Sequence, residues 1–200
     1  AEVDDNFLQE FIPGCKGGTL NISDAERSRI FAALGSRILR TPGGAAANTV
    51  CALGRLGVNT AFFGKTGIDE DGEYFRNELK SCGVSPDFLL SAPGKTGYCL
   101  SLVTPDAERT MRSNLGVSVE IAAEDISNCH WQHTQWLLAE GYMLAIPGYE
   151  KIFELAKSSG CRTALDISSI EIARRSRENL PEFMKKNVDK EFSKTELRQQ

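Results

Sequence analysis

The 200-residue chain has no apolar run close to the roughly 20 residues that a bilayer-crossing helix needs. The nearest, WLLAEGYMLAIPG, is interrupted by Glu140 and ended by Pro147. A surplus of basic residues is also missing. The 23 Lys and Arg are outnumbered by 27 Asp and Glu, for a formal net charge of -4. A chain of that sign has no general attraction for nucleic acid or an anionic membrane, so neither is expected as a partner. Cys-x-x-Cys pairs are absent, although Cys15, Cys51, Cys82, Cys99, Cys129 and Cys161 are spread along the chain. Such spacing reads as reduced, mostly buried thiols in a cytoplasmic protein rather than a disulfide framework. No secretory signal is visible. No G-x-G-x-x-G loop occurs, which removes the usual dinucleotide fingerprint.

What is present is ordinary globular material. The length suits one domain with a sizeable core, or a large part of a bigger one. EVDDNFLQEF reads as a short helix capped by Asp4 or Asp5, and TLNI as an edge strand. SDAERSRIFAALG is a helix with Ser23 as N-cap, Glu26 completing a capping box and Gly35 as the stop. Residues 45–56 form a helix whose apolar face is Ala46, Ala47, Val50, Leu53 and Leu56, closed by Gly57. NTAFFGKTG follows as one short buried strand. DEDGEYFRNELKSCGV becomes a helix with Tyr74, Phe75, Leu79 and Cys82 on one side. This alternation signals βαβ units and a parallel sheet.

TGYCLSLVTPDAERTMRS breaks the rhythm. Two strand-like runs flank PDAE, which has turn chemistry, so a β-hairpin is inserted into the α/β pattern. The pattern resumes with a strand in TQWLLAEGY, a helix in PGYEKIFELAKSSG, a strand in RTALDIS and one helix over IEIARRSRENLPEFMKK. Residues 189–200 read as a charged tail.

Two runs imitate a phosphate-binding P-loop: Gly64-Lys65-Thr66 and Gly94-Lys95-Thr96. Each lacks the glycine that should stand five positions before its last one; Asn59 and Leu89 occupy those places. Asp69, Glu70 and Asp71 would also repel phosphate near the first. In CHWQH, His130 and His133 would share a helix face with Cys129 nearby. Nothing completes the three or four ligands a metal needs, so no metal site is assigned. RTPGGAAANTV raises the sharper question. Gly43 and Gly44 are either a plain turn before a closely packed helix or bare main chain facing a polar ligand. In the second case the Asn48 carboxamide supplies a donor and an acceptor together, as a vicinal diol requires.

The run GGAAANTVCALGRLGVNTAFFGKTGIDEDGEYFRNEL closely resembles the first signature of the PfkB, or ribokinase-like, carbohydrate and nucleoside kinases. Gly67, Asp69 and Gly72 supply that signature's Gly-x-Asp-x-x-Gly part. TGYCLSLVTPDAERTMRSNLG is similar to the family's β-lid hairpin, and VDDNFLQEF with GTLNISDAE resembles the adenosine-kinase-like branch. The resemblance implies an α/β fold, a ribokinase-like αβα sandwich with a mostly parallel sheet and a small β-sheet lid, incomplete at both ends. It implies residues 1–188 as one partial kinase domain, with lid strands at about 12–22 and 96–114. It implies transfer of the γ-phosphoryl of ATP, with Mg2+, to a hydroxyl of a sugar or nucleoside. Gly43, Gly44 and Asn48 would hold the sugar hydroxyls, with Glu140, Arg109 and Asn114 as further substrate contacts.

Two departures qualify the likeness. The family's opening strand, with its substrate-binding Asp, has no counterpart, and the D-T-x-G-A-G-D run is absent. That run carries the general base and the anion hole, so no catalytic residue is assigned. Most of the ATP site is expected to be missing as well. Phosphoryl transfer depends on positioning and charge neutralisation, so the chain alone is expected to be inactive. The alternative expectation is a non-catalytic binding or dimerisation fragment, homodimeric through a lid face of Leu100, Leu102, Val103 and Met111.

Overall fold

The computed structural model describes residues 1–128, 131–168 and 170–192. Capping chemistry sets the first boundaries. Asp4 accepts the Phe7 amide at 2.8 Å and opens α1 (Asp5–Phe11). β1 (Thr19–Asn21) follows. Ser23 and Glu26 form the reciprocal capping box of α2 (Asp24–Leu34), and Gly35 ends it at φ 55°. Then come α3 (Ala45–Arg55), β2 (Thr60–Ala61), β3 (Gly64–Gly67), α4 (Glu70–Ser81), β4 (Val84–Ser85) and β5 (Leu89–Ala92). The hairpin is β6 (Thr96–Val103) and β7 (Arg109–Gly116). The last part holds β8 (Trp136–Glu140), α5 (Glu150–Ser158), β9 (Arg162–Asp166), α6 (Ile170–Arg175), α7 (Leu180–Asn187) and β10 (Lys190–Phe192).

Pairing is parallel except in the hairpin. β8, β9 and β10 form one sheet with β9 in the middle, β2 pairs with β4, and β3 pairs with β5. The lid is a separate three-stranded sheet in the order β1-β7-β6. This is the mixed α/β, mostly parallel architecture expected from the pattern, with the β-lid that the resemblance implies.

Three apolar clusters support these parts. Ile152, Phe153, Ala156, Leu165 and Phe183 pack around β8 and β9. Cys51, Leu79, Cys82, Val84 and Leu89 pack where α3 and α4 meet the short strands. Phe7, Leu8, Ile30, Leu34, Leu100 and Leu102 lie between the lid sheet and the helices α1 and α2. The lid therefore has its own core. Arg112 is buried within it, 1% exposed, and has no ion-pair partner among the described residues. Its guanidinium donates to the carbonyls of Pro13, Met111 and Cys15, each at 2.8 Å, and fastens the loop after α1 to the sheet.

One aspartate joins lid to body. Asp69 caps α4 by accepting the Gly72 amide at 2.9 Å. The same carboxylate accepts the Thr96 amide at 2.8 Å and the Thr96 hydroxyl at 2.5 Å, at the first residue of β6. The Thr96 hydroxyl in turn accepts the Gly67 amide at 2.9 Å. A Cβ at Gly67 would strike the Gly94 carbonyl, and one at Gly72 would strike the Gly67 carbonyl. The Gly-x-Asp-x-x-Gly spacing is thus the geometry of a lid anchor.

The structure corrects several expectations. NTAFFGKTG is two strands in two different sheets, not one. The helix at 45–55 buries Ala47 and Cys51, while Leu53 and Leu56 stay exposed. The reason is close approach: Gly54 sits against the Cys82 carbonyl, where a Cβ would collide, so the small-residue face packs and the leucine stripe does not. The span 170–187 is two helices, because Pro181 lacks the amide a continuous helix needs and sits in the first turn of α7. Residues 190–192, read as tail, pair with β9 as β10. Of the lid strands placed at 12–22, residues 19–21 are strand. Leu100 and Leu102 do not share a face with Val103 and Met111. Strand alternation turns them toward α1 and α2, where they are 6% and 0% exposed. Cys15 and Cys99 are exposed; Cys51, Cys82 and Cys161 are buried.

Replacing Asp69 with Ala removes a helix cap and two lid bonds. The expected loss is about 2 kcal/mol or more, read as a lower urea midpoint. An unchanged midpoint would contradict the anchor.

Candidate functional site

Backbone geometry at the start of α3 answers the question set by the two glycines. Gly44 is the N-cap at φ 101°, in the region that favours glycine, with no side-chain cap. A Cβ at Gly43 would meet nothing within 4 Å, and one at Gly44 would meet the Ala47 methyl at 3.9 Å. Packing therefore does not demand bare main chain at Gly43. Both residues are exposed and line an open cleft that also takes in the lid sheet and the ends of β8 and β9. Asn48, one helical turn on, lines the same cleft. It is exposed, and its carboxamide has no hydrogen-bond partner among the described residues.

Glu140 closes this corner from the body. It is the last residue of β8, and its Oε1 accepts the Ala46 amide at 2.6 Å. This places a carboxylate on the first turn of α3, where the helix dipole favours negative charge. Burial pushes the Glu140 carboxyl above the usual carboxylate range, and nearby Asp166 adds to the rise. The Ala46 amide opposes both. Asp166 ends β9, directly across from Glu140 in the register, and also lines the cleft.

The lid supplies the opposite wall. Asn21, Ser113 and Cys99 lie abreast across its three strands, and Thr19, Met111 and Ser101 form the next row. Arg109 is exposed at the start of β7 and lines the cleft. Asn114 belongs elsewhere. Its Nδ2 donates to the Ile22 carbonyl at 3.1 Å and its Oδ1 accepts the Gly116 amide at 2.9 Å, so both ends of the carboxamide are spent holding the lid together. The structure thus groups Gly43, Gly44, Asn48 and Glu140, sets Arg109 on the facing wall, and leaves Asn114 out.

Three cleft residues escaped the reading of the sequence. Tyr142, 58% exposed, follows Glu140 by two positions and offers a flat apolar surface. Asp166 and Ser168 come from the end of β9. The available signal was a strand ending in Glu-Gly-Tyr and another ending in Asp-Ile-Ser. Polar residues where apolar strands stop are placed at the rim of a parallel sheet, where ligands bind.

The P-loop imitations are excluded by geometry. Lys65 lies on β3 and donates to the Glu120 carbonyl at 2.7 Å and to Asp125 at 2.8 Å. Lys95 is paired with Asp24 at 2.9 Å, and Thr96 belongs to the lid anchor. Cys129 and His130 lie outside the described residues, and His133 is exposed. Among the described residues, no group of three or more His, Cys, Asp or Glu could hold a metal ion.

A parallel sheet with a β-lid over a glycine turn defines a ribokinase-like α/β protein. A family model described as pfkB family carbohydrate kinase matches residues 23–190, and the chain belongs to that family. The crystal structure of adenosine kinase from Sinorhizobium meliloti is similar with a TM-score of 0.78 and 29% identity, over 96% of this chain and 60% of that one. A fructokinase from Vibrio alginolyticus is 31% identical over 124 residues, which is 60% of this chain and 40% of that protein. Fructokinase-2 from Zea mays is 38% identical over 72 residues, which is 36% of this chain and 22% of that protein. The chain therefore spans less than two thirds of each of these relatives. No helix among the described residues is long and apolar enough to cross a membrane.

The raised Glu140 carboxyl has a measurable consequence. The folded protein holds that proton more tightly than the unfolded chain does. This contribution to stability is full below the unfolded value and is lost as pH rises through the folded one. Glu140→Gln, which keeps an acceptor for Ala46, is expected to gain stability relative to the parent as pH rises above the ordinary carboxylate range in urea unfolding. A pH-independent difference would contradict the assignment.

Proposed function

We propose that this chain forms the substrate-binding body and lid of an ATP-dependent kinase that phosphorylates a hydroxyl of a sugar or nucleoside. The observation that carries the reading is the corner where Gly43, Gly44, Asn48 and Glu140 converge inside the cleft. Main chain without side chains lets a polyhydroxylated ligand approach closely. The Asn48 carboxamide donates to one hydroxyl and accepts from its neighbour, and the free oxygen of Glu140 accepts from another. A site built this way rejects analogues lacking those hydroxyls, because its own polar groups would be left unpaired. Tyr142 gives the apolar face of the ligand a stacking surface. Both sugars and nucleosides satisfy this set of contacts.

The lid completes the chemistry. Water competes as phosphoryl acceptor, and a small-residue wall of Thr19, Asn21, Ser101 and Ser113 closing on the ligand would exclude it. Arg109, exposed on that wall, is a cation available to the charge that develops during transfer. ATP and Mg2+ are implied by the family. The D-T-x-G-A-G-D run does not occur in the sequence, so the proposal places those sites largely outside these 200 residues.

Two measurements test the reading. Isothermal titration with D-fructose, other sugars and adenosine should find a ligand, and Asn48→Ala should weaken its binding about tenfold, as expected for roughly 1–1.5 kcal/mol of lost hydrogen bonding. The same chain mixed with ATP, magnesium and that ligand should form no ADP above background. Robust turnover would refute the division of labour, and unaltered binding in Asn48→Ala would refute the site.

A further inference from the structure

Ser168 is one of two non-glycine residues with positive φ in the described chain, at 67°. A left-handed serine is strained, and such strain persists where surrounding structure demands it. Three hydrogen bonds show the demand. The Ser168 amide donates to Asp166 Oδ1 at 3.0 Å, and its hydroxyl donates to the Asp166 carbonyl at 3.0 Å. The same hydroxyl accepts the Gly141 amide at 3.0 Å. The first two bonds are local to the end of β9. The third crosses to the end of β8.

Gly141 is the residue immediately after Glu140. There the strand stops and a 3-10 turn begins, so its amide leaves the ladder with β9. Gly141 also lies against the Ile167 carbonyl and the Ile172 methyl, where an added Cβ would stand 2.5 Å and 2.9 Å away. No side chain could occupy that place while the two strand ends remain this close. The Ser168 hydroxyl therefore closes the gap between the ends of β8 and β9. The carboxylates of Glu140 and Asp166 project from those two ends, and Glu140 carries the contact onward to Ala46 at the start of α3.

We propose that Ser168 is a positioning residue: its hydroxyl, held in a left-handed turn, laces β8 to β9 and thereby aims Glu140 at the first turn of α3. Ser168 touches no reacting atom in this scheme. It acts through Gly141 and Glu140 on the corner that takes the ligand hydroxyls. The inference deepens the function proposed above and rests on it for its ligand-binding consequence, but the lacing itself does not.

Ser168→Gly separates positioning from general stability. Glycine adopts the left-handed turn without strain, so the thermal midpoint should hold or rise, while the hydroxyl is lost. Affinity for D-fructose or adenosine, whichever the parent binds, should fall about tenfold. Ser168→Asn, which tolerates the turn and keeps an acceptor, should recover part of that loss. Amide hydrogen exchange at Ala46 supplies a readout that needs no ligand, and it should quicken at least tenfold in Ser168→Gly with exchange in α5 unchanged. Parental affinity in Ser168→Gly, or affinity falling only in step with the midpoint, would overturn the proposal. So would unchanged exchange at Ala46. If the parent binds neither probe, the proposed function fails, and the Ala46 exchange still decides the role of Ser168.

Discussion

At the end of β8 the Glu140 carboxylate accepts the Ala46 amide at 2.6 Å, joining the three-stranded sheet to the amino end of α3. Every other feature of the site depends on this contact. It satisfies an orphan amide of the first helical turn with a side chain from a distant strand. It fixes the distance between the glycine turn and the strand ends. It also brings a carboxylate into a half-buried place, which raises its affinity for a proton. Without it α3 would be held by the packing of Val50, Cys51 and Gly54 and by the Thr60 hydroxyl on the Val50 carbonyl, and the corner between turn and sheet would lose its shape.

The lid follows a different logic. Its sheet is covered on one side by α1 and α2 and stiffened internally by Arg112 and Asn114, so it is a preformed unit rather than a loose hairpin. Its connection to the body passes through Asp69 and Thr96, backed by glycines that permit the close crossing. A stiff plate tied to the body at Asp69 and Thr96, and by the Arg27–Asp71 ion pair, suits a cover that moves as one body. The uncovered side carries small polar groups toward the cleft. The side bearing Leu100 and Leu102 is consumed within the chain, so of the four apolar residues on which pairing of two lids was expected, Val103 and Met111 are on the open side.

Much of this was legible in the order of residues. Capping pairs such as Ser23 with Glu26 act over three positions, so the boundaries of α2 could be read directly. The glycine turn and Asn48 stood out because bare backbone before a helix has few uses. Asn114 was misplaced because a strand position does not reveal which face its side chain takes until the register is known. Leu53 and Leu56 looked like core because apolar periodicity cannot show that Gly54 lies on a carbonyl from the α4 end. Residues 190–192 looked like tail because a three-residue strand of mixed polarity carries no periodic signal, and its partner β9 is about 25 residues upstream. Ser168 was invisible for the same reason: its value lies in a left-handed turn and a bond to Gly141, neither encoded by spacing.

The proposed floor for a hydroxyl-rich ligand is the main chain at Gly43 and Gly44 with Asn48 and Glu140. A crystal structure of the chain soaked with the tightest-binding sugar or nucleoside tests it most directly. Ligand hydroxyls are expected within hydrogen-bond distance of the Asn48 carboxamide and the Glu140 carboxylate, with the glycine turn in contact beneath them. A ligand seated elsewhere in the cleft, with Asn48 turned to solvent, would contradict it.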